Sequence, residues 1–152
     1  YNPAIFATDN VEKAQIQGLE LAANTTIKEW RLGSNVTFSN PINETTGGNL
    51  ILRSKRVLNI NADRSFGKFD VGASFIAKSE ALYFSNEIVP GYGTVDLRGT
   101  YHVTDEVDLQ LKVNNILDKK YEVTRDPNFG YGNQYADGAN AFLTVTYTPD
   151  IK

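Results

Sequence analysis

A chain of 152 residues is long enough for one domain or a piece of a larger one. Its formal charge of -3 excludes the basic footprint typical of nucleic-acid binders, and with no cysteine it builds neither a disulfide framework nor a thiolate metal site. It has no apolar run of about 18 residues for a transmembrane helix, but a membrane strand needs only about 9 to 11 residues. The first residue is Tyr1, methionine is absent throughout and no signal peptide is visible, so a fragment is expected rather than an intact gene product.

Residues 1–10 carry a proline and end in turn residues, so they read as the end of an earlier element leading into a loop. A first long strand is predicted over 11–26, with Leu19, Leu21 and Ala23 on one face and Glu20, Ala22 and Asn24 on the other. After a short connection around Ile27, residues 30–39 alternate: Trp30, Leu32, Ser34, Val36 and Phe38 oppose Arg31, Gly33, Asn35, Thr37 and Ser39. Residues 40–49 have loop composition. A third strand is predicted over 52–64, then a tight turn at 65–67. Phe69, Val71, Ala73, Phe75 and Ala77 follow as the apolar row of a fourth.

Residues 85–91 form a second wide loop before a fifth strand over 93–103. A turn at 104–106 leads into the clearest alternation of the chain, Val107, Leu109, Leu111 and Val113 against Asp108, Gln110, Lys112 and Asn114. The longest loop, 121–138, precedes a last apolar row of Ala141, Leu143, Val145 and Tyr147. The fold class is thus all-β, with seven long antiparallel strands. Tight and wide connections alternate, which puts short turns at one end of the sheet and long loops at the other, as in outer-membrane barrels.

Alternation by itself also fits a small soluble lipocalin-like β-barrel binding protein or a sandwich. Aromatic residues at the ends of the apolar rows favour the membrane. Trp30, Phe69, Tyr101 and Tyr147 lie toward the tight turns; Phe38, Tyr83 and Tyr121 lie toward the wide loops. Two such girdles are expected where strands cross both lipid–water boundaries. The opposite row, with Asp63, Asp70, Asp96, Arg98, Asp108 and Lys112, suits a wet lumen.

The stretch from Val113 to Glu122 (Val-Asn-Asn-Ile-Leu-Asp-Lys-Lys-Tyr-Glu) resembles the Asn-Leu-Phe-Asp-x-x-Tyr signature in the last strands of TonB-dependent outer-membrane receptors. Tyr1-Asn2 through Gln17-Gly18-Leu19-Glu20 is similar to that family's Tyr-Asn…Gly-Val-Glu segment, and Pro90 through Arg98 to its penultimate down-strand. The spacing from Val95 to Tyr121 looks most like the cobalamin (vitamin B12) transporter branch, with siderophore receptors close behind. The resemblance implies a barrel of about 22 strands plugged by an N-terminal domain. Residues 1–152 would supply its C-terminal part, without plug or energy-coupling box. Implied partners are the remaining strands and the plug of the same receptor, TonB through that plug, outer-membrane lipid, lipopolysaccharide and the barrel-assembly machinery. Two departures stand out: Thr148 to Lys152 follow the terminal aromatic Tyr147, and the usual Gly-Arg before the last strand reads Gly138-Ala139.

No nucleophile, acid–base or metal-ligand spacing surrounds His102, the sole histidine, so catalysis, cofactors and metals are not expected. Asp96 is expected to reach Lys112 across adjacent strands, a pair worth about 0.2–1 kcal/mol. Arg56 shares the parity of Leu58 at the wide-loop edge, where a guanidinium suits lipopolysaccharide phosphate; the alternative is a solvated loop base. Asp126, Asn128, Phe129, Tyr131, Asn133 and Tyr135 mix aromatic, amide and carboxylate chemistry suited to a large amphipathic ligand, or else belong to a plain loop. Asp126, Asn128 and Asp137 leave calcium as a further alternative for this loop, although their spacing is not that of an EF-hand.

Overall fold

The computed structural model describes residues 13–83, 87–124 and 132–150. Its strands are β1 (Ala14–Ile27), β2 (Trp30–Asn43), β3 (Arg56–Phe66), β4 (Phe69–Lys78), β5 (Ala81–Leu82), β6 (Ile88–Val89), β7 (Tyr92–His102), β8 (Val107–Asn114), β9 (Glu122–Thr124), β10 (Gln134–Tyr135) and β11 (Asn140–Tyr147). Seven of them form one antiparallel sheet in the order β1-β2-β3-β4-β7-β8-β11. The short pairs β5–β6 and β9–β10 are separate hairpins inside two of the wide connections.

The seven expected strands are present, with shifted boundaries. β2 continues four residues past Ser39, through a stretch whose Asn-Pro composition reads as loop. Asn40 to Asn43 stay extended because β1 is equally long and pairs along all of them, down to Ala14 opposite Asn43. Pro41 is fully buried. β3 begins at Arg56 rather than Leu52, since Leu52 takes a φ of 54° and its N–H bonds to the Leu82 carbonyl 2.7 Å away.

The tight turns are chemically distinct. Lys28 and Glu29 both have positive φ, 47° and 69°, the primed geometry that matches the twist of a two-residue hairpin. In the β7–β8 turn the Thr104 hydroxyl accepts hydrogen bonds from the N–H groups of Glu106 and Val107 at 3.2 and 3.1 Å. That satisfies backbone donors where the chain reverses.

Register then fixes which side chains share a face. Val36 pairs with Leu58, Leu58 with Ala77, Phe75 with Val95, Leu97 with Val113, and Leu111 with Leu143. The apolar rows of all seven strands therefore merge into one continuous surface. That surface is open: Leu21, Leu111 and Leu143 expose 53, 50 and 68 % of their area. Val89 and Pro41 are the buried apolar side chains among the described residues, and both lie outside this face. A lipocalin-like fold would turn the same rows inward around a core. Here they point outward from an open sheet, so the soluble-barrel alternative fails.

The girdle residues divide. Trp30, Phe69, Tyr101 and Tyr147 take the parity of the apolar face at the tight-turn end. Phe69 and Tyr101 are register partners with rings stacked at 4.7 Å, and Trp30 meets Phe66 edge-on at 6.3 Å. Pairs of this kind contribute about 0.5–1.5 kcal/mol beyond their burial. At the opposite end Phe38 lies exposed on the apolar face, opposite Arg56. Tyr83 sits in the β4–β7 connection, outside the seven-stranded sheet. Tyr121 is displaced from the expected girdle, because its ring stacks on Tyr92, whose parity is that of the polar face.

β4 and β7 have ten and eleven residues, the length that crosses a hydrocarbon layer at a barrel tilt. Leu97→Arg, mid-strand on the apolar face, should cost about 2–4 kcal/mol in a lipid bilayer. Gln110→Arg, on the polar face, should be close to neutral. Urea titration of the liposome-inserted receptor checks both. Equal effects would show that the two faces do not meet different solvents.

Candidate functional site: a polar trough and its mouth

Behind the apolar surface, the alternate residues line a trough of about 720 Å³, with Asn35, Asn59, Asn61, Ser74, Arg98 and Lys112 along its wall. Their placement follows from strand parity, and short amide and hydroxyl side chains let neighbouring strands bond directly. Asn35 donates to Glu20 at 2.9 Å and accepts from Asn59 at 2.6 Å. Ser74 donates to Asn61 at 2.8 Å and accepts from Arg98 at 2.9 Å. The result is two hydrogen-bonded rungs, one across β1, β2 and β3 and one across β3, β4 and β7.

Arg98 also forms an ion pair with Asp63, two strands away. Gly72 lies between them in register, opposite Asp63 on one side and Arg98 on the other. A Cβ on Gly72 would press on both the guanidinium and the carboxylate, so the pair bridges β4 only because that position has no side chain. The expected Asp96–Lys112 pair does not form. Register puts Lys112 opposite Arg98, and Asp96 accepts a hydrogen bond from the backbone N–H of Asn115 at 2.8 Å instead. Asn115 has a φ of 49°, so the chain turns off the ladder directly after the N–H that meets the carboxylate.

Asn115 is itself buried and holds the first turn beyond β8. Its amide donates to the Lys119 carbonyl at 3.0 Å and accepts from the Lys119 N–H at 3.0 Å. Three residues on, the Asp118 carboxylate accepts from the Ala139 N–H at 2.9 Å. Gly138 leaves room for it, since a Cβ there would clash with the same carboxylate. The Asn-Asn-Ile-Leu-Asp stretch thus ties the exit of β8 to the entry of β11 and closes the base of the long loop.

Above this knot lies a second hollow of about 710 Å³ at the wide-loop end, lined by Lys78, Tyr92, Asp96, Tyr121, Tyr135 and Asp137 among others. The Tyr92 and Tyr121 rings stack at 3.8 Å and form one wall. Of the predicted ligand-loop residues, Tyr135 belongs to β10 and lines this hollow. Asn133 lies nearby and donates to the Glu122 carboxylate at 3.1 Å. Asp126, Asn128, Phe129 and Tyr131 lie outside the described residues.

Sequence reasoning missed Tyr92 and Lys78 as mouth residues, and also missed the company of His102. That imidazole sits between two carboxylates, Nδ1 at 2.7 Å from Asp108 and Nε2 at 3.0 Å from Asp70. The signal was present: His102 and Asp108 share a row, and the short turn between them makes them register partners. The arrangement ties β4, β7 and β8 together at the tight-turn end.

The half-buried Asp63–Arg98 bridge should contribute about 1 kcal/mol, as ion pairs in contact with solvent do. Gly72→Ala should lose that amount in urea titration, and Gly72→Ala with Arg98→Gln should lose no more than either change alone. Full additivity of the two losses would rule out a pair acting across β4.

Residues 1–116 match the family model described as TonB dependent receptor-like, beta-barrel. The chain is 26 % identical over 148 residues to the vitamin B12 transporter BtuB of Vibrio vulnificus, covering 93 % of this chain and 23 % of that protein. It is 27 % identical over 172 aligned positions to the probable TonB-dependent siderophore receptor PiuA of Acinetobacter baumannii, covering 96 % of this chain and 22 % of the relative. The chain therefore spans under a quarter of the length of these relatives. In fold it is similar to the copper transporter OprC, with a TM-score of 0.76 at 20 % identity over 88 % of this chain and 24 % of that one. It is likewise similar to the ferric enterobactin receptor PfeA of Pseudomonas aeruginosa, with a TM-score of 0.73 at 20 % identity over 91 % and 23 % of the two chains. With a family match over most of its length and seven antiparallel strands of barrel character, this chain belongs to the TonB-dependent receptor-like β-barrel family of the Gram-negative outer membrane.

Proposed function

We propose that this chain is the C-terminal wall, residues 1–152, of a receptor that takes up a scarce nutrient actively across the outer membrane, in the manner of a cobalamin or ferric-siderophore transporter. The observation that carries this reading is the two-faced sheet: one face apolar across all seven strands, the other a hydrogen-bonded polar trough. A wall of that kind separates lipid from a wet lumen. In a barrel of about 22 strands, the edges β1 and β11 would pair with the remaining strands. The trough would seat the plug through which TonB acts, and the barrel-assembly machinery would insert the whole. The role is binding and passage, with no covalent chemistry.

The mouth hollow is the proposed ligand contact. Stacked Tyr92 and Tyr121 offer a flat aromatic wall, and Lys78, Asp96 and Asp137 offer charges of both signs. The loop residues Asp126, Asn128, Phe129, Tyr131, Asn133 and Tyr135 would close over it. This chemistry suits a large amphipathic ligand such as a corrinoid or a metal chelate. The two similar proteins above, a vitamin B12 transporter and a probable siderophore receptor, support either class.

The full receptor, produced in a strain lacking its own uptake systems, should restore growth on either limiting cyanocobalamin or a ferric siderophore. Tyr121→Ala should weaken binding of the rescued ligand about ten-fold, the order expected for one aromatic anchor. A folded receptor that rescues neither nutrient would end the transport reading.

On the outer leaflet we further propose that Arg56, beside Phe38 on the apolar face, meets lipopolysaccharide phosphate. Arg56→Glu should reduce the lipopolysaccharide that copurifies with the receptor. Unchanged copurification would leave Arg56 a solvated strand end.

A further inference from the structure

The tight-turn end of the apolar face carries one charged residue where parity calls for an apolar one. Arg64 shares the row of Leu58, Ile60 and Ala62 and pairs in register with Val71. Its guanidinium lies over the Phe66 ring at 4.3 Å and near the Trp30 ring at 5.8 Å. Cation–π contacts of this kind draw a guanidinium onto the faces of the rings. Two residues from the turn, the side chain is close enough to the edge of the sheet to keep its charged head at the interface.

Its hydrogen bonding is incomplete. Nε is covered and has no partner. Nη2 donates to the Glu29 carboxylate at 2.7 Å, but the Glu29 side chain is 74 % exposed. The Arg64 side chain is 27 % exposed, so the pair is open to solvent on its Glu29 side, where screening weakens it. Lys28 and Lys68 occupy the β1–β2 and β3–β4 turns at the same end of the sheet, the Lys68 ammonium donating to the Val103 carbonyl at 3.4 Å. Negative residues at this end lie elsewhere, with Asp105 and Glu106 on the β7–β8 turn and Asp70 on the polar face beside Arg31 and His102.

We infer that Trp30, Arg64 and Phe66 form a phospholipid headgroup site on the outer surface of the wall, in which Arg64 binds the phosphodiester of an anionic lipid from the periplasmic leaflet. The assignment rests on the membrane reading of the apolar face, since short turns mark the periplasmic side. The two rings hold the planar guanidinium, a group suited to two-point phosphate binding. They also present apolar surface to the acyl chains just below. Glu29 competes: its carboxylate occupies the position a phosphate oxygen would take.

The full receptor, folded in detergent, is mixed with phosphatidylglycerol and its retained lipid is counted by native mass spectrometry. Arg64→Gln should lower retention about five-fold, the order for one basic side chain at an anionic lipid surface. Glu29→Gln should raise it, and Arg64→Lys should fall between wild type and Arg64→Gln. Heat-modifiable gel mobility confirms that each variant is folded, and Arg64→Lys serves if Arg64→Gln does not fold. Unchanged retention in the Arg64 variants, or a loss in Glu29→Gln equal to theirs, overturns the site and leaves Arg64 and Glu29 as a purely structural pair. Failure of the wild-type receptor to insert into liposomes would instead overturn the membrane reading itself.

Discussion

Cross-strand register is the constraint on which everything else here depends. Side chains alternate along a strand, so moving one strand by one residue relative to its neighbour would exchange its two faces. Seven strands keep the same parity from Leu21–Val36 to Leu111–Leu143, and among the described residues no enclosed core enforces it. It is enforced by the turns and by the penalty for presenting Asp63, Asp96 or Arg98 to lipid. The same alignment that makes an apolar wall therefore also assembles the polar trough, and neither face could be altered alone.

Much of this was legible in the sequence because period-two alternation is a local signal. The seven strands and the sorting of short and long connections followed from residue type and spacing; the outward direction of the apolar rows was favoured by the aromatic ends but left a soluble barrel open. What was not legible depended on partners distant along the chain. Asn40 to Asn43 have loop composition yet stay extended because β1 runs beside them. Asp96 has Lys112 within plausible reach, but the backbone of Asn115 meets it first. Tyr121 looked like an interfacial anchor until Tyr92, on the polar face, supplied a ring to stack on. Arg64 went unnoticed because a charge at an apolar position reads as noise until Trp30 and Phe66 are seen around it.

The signature that drew attention to the family has a mechanical explanation. Asn115 and Asp118, both with positive φ, each spend their side chains on backbone groups rather than on a ligand. They hold β8 and β11 at a fixed separation while the longest connection extends from between them. Variation in that connection can then alter what the mouth recognises without disturbing the wall beneath it, which is how binding loops on rigid scaffolds generally work.

Parity guards against slips of one residue, but a slip of two leaves every side chain on its proper face. Hydrophobicity is blind to that error. The missing side chain at Gly72 addresses it: Arg98 and Asp63 meet only when β3, β4 and β7 are all in phase, so their pairing reports the alignment of three strands at once. A two-residue shear of β4 would bring Asp70 or Ser74 under the guanidinium in place of the gap. In an extended sheet whose described residues enclose no core to resist sliding, one vacancy serves as a detent, a notch that distinguishes the correct alignment from the nearest one that looks the same to the solvent.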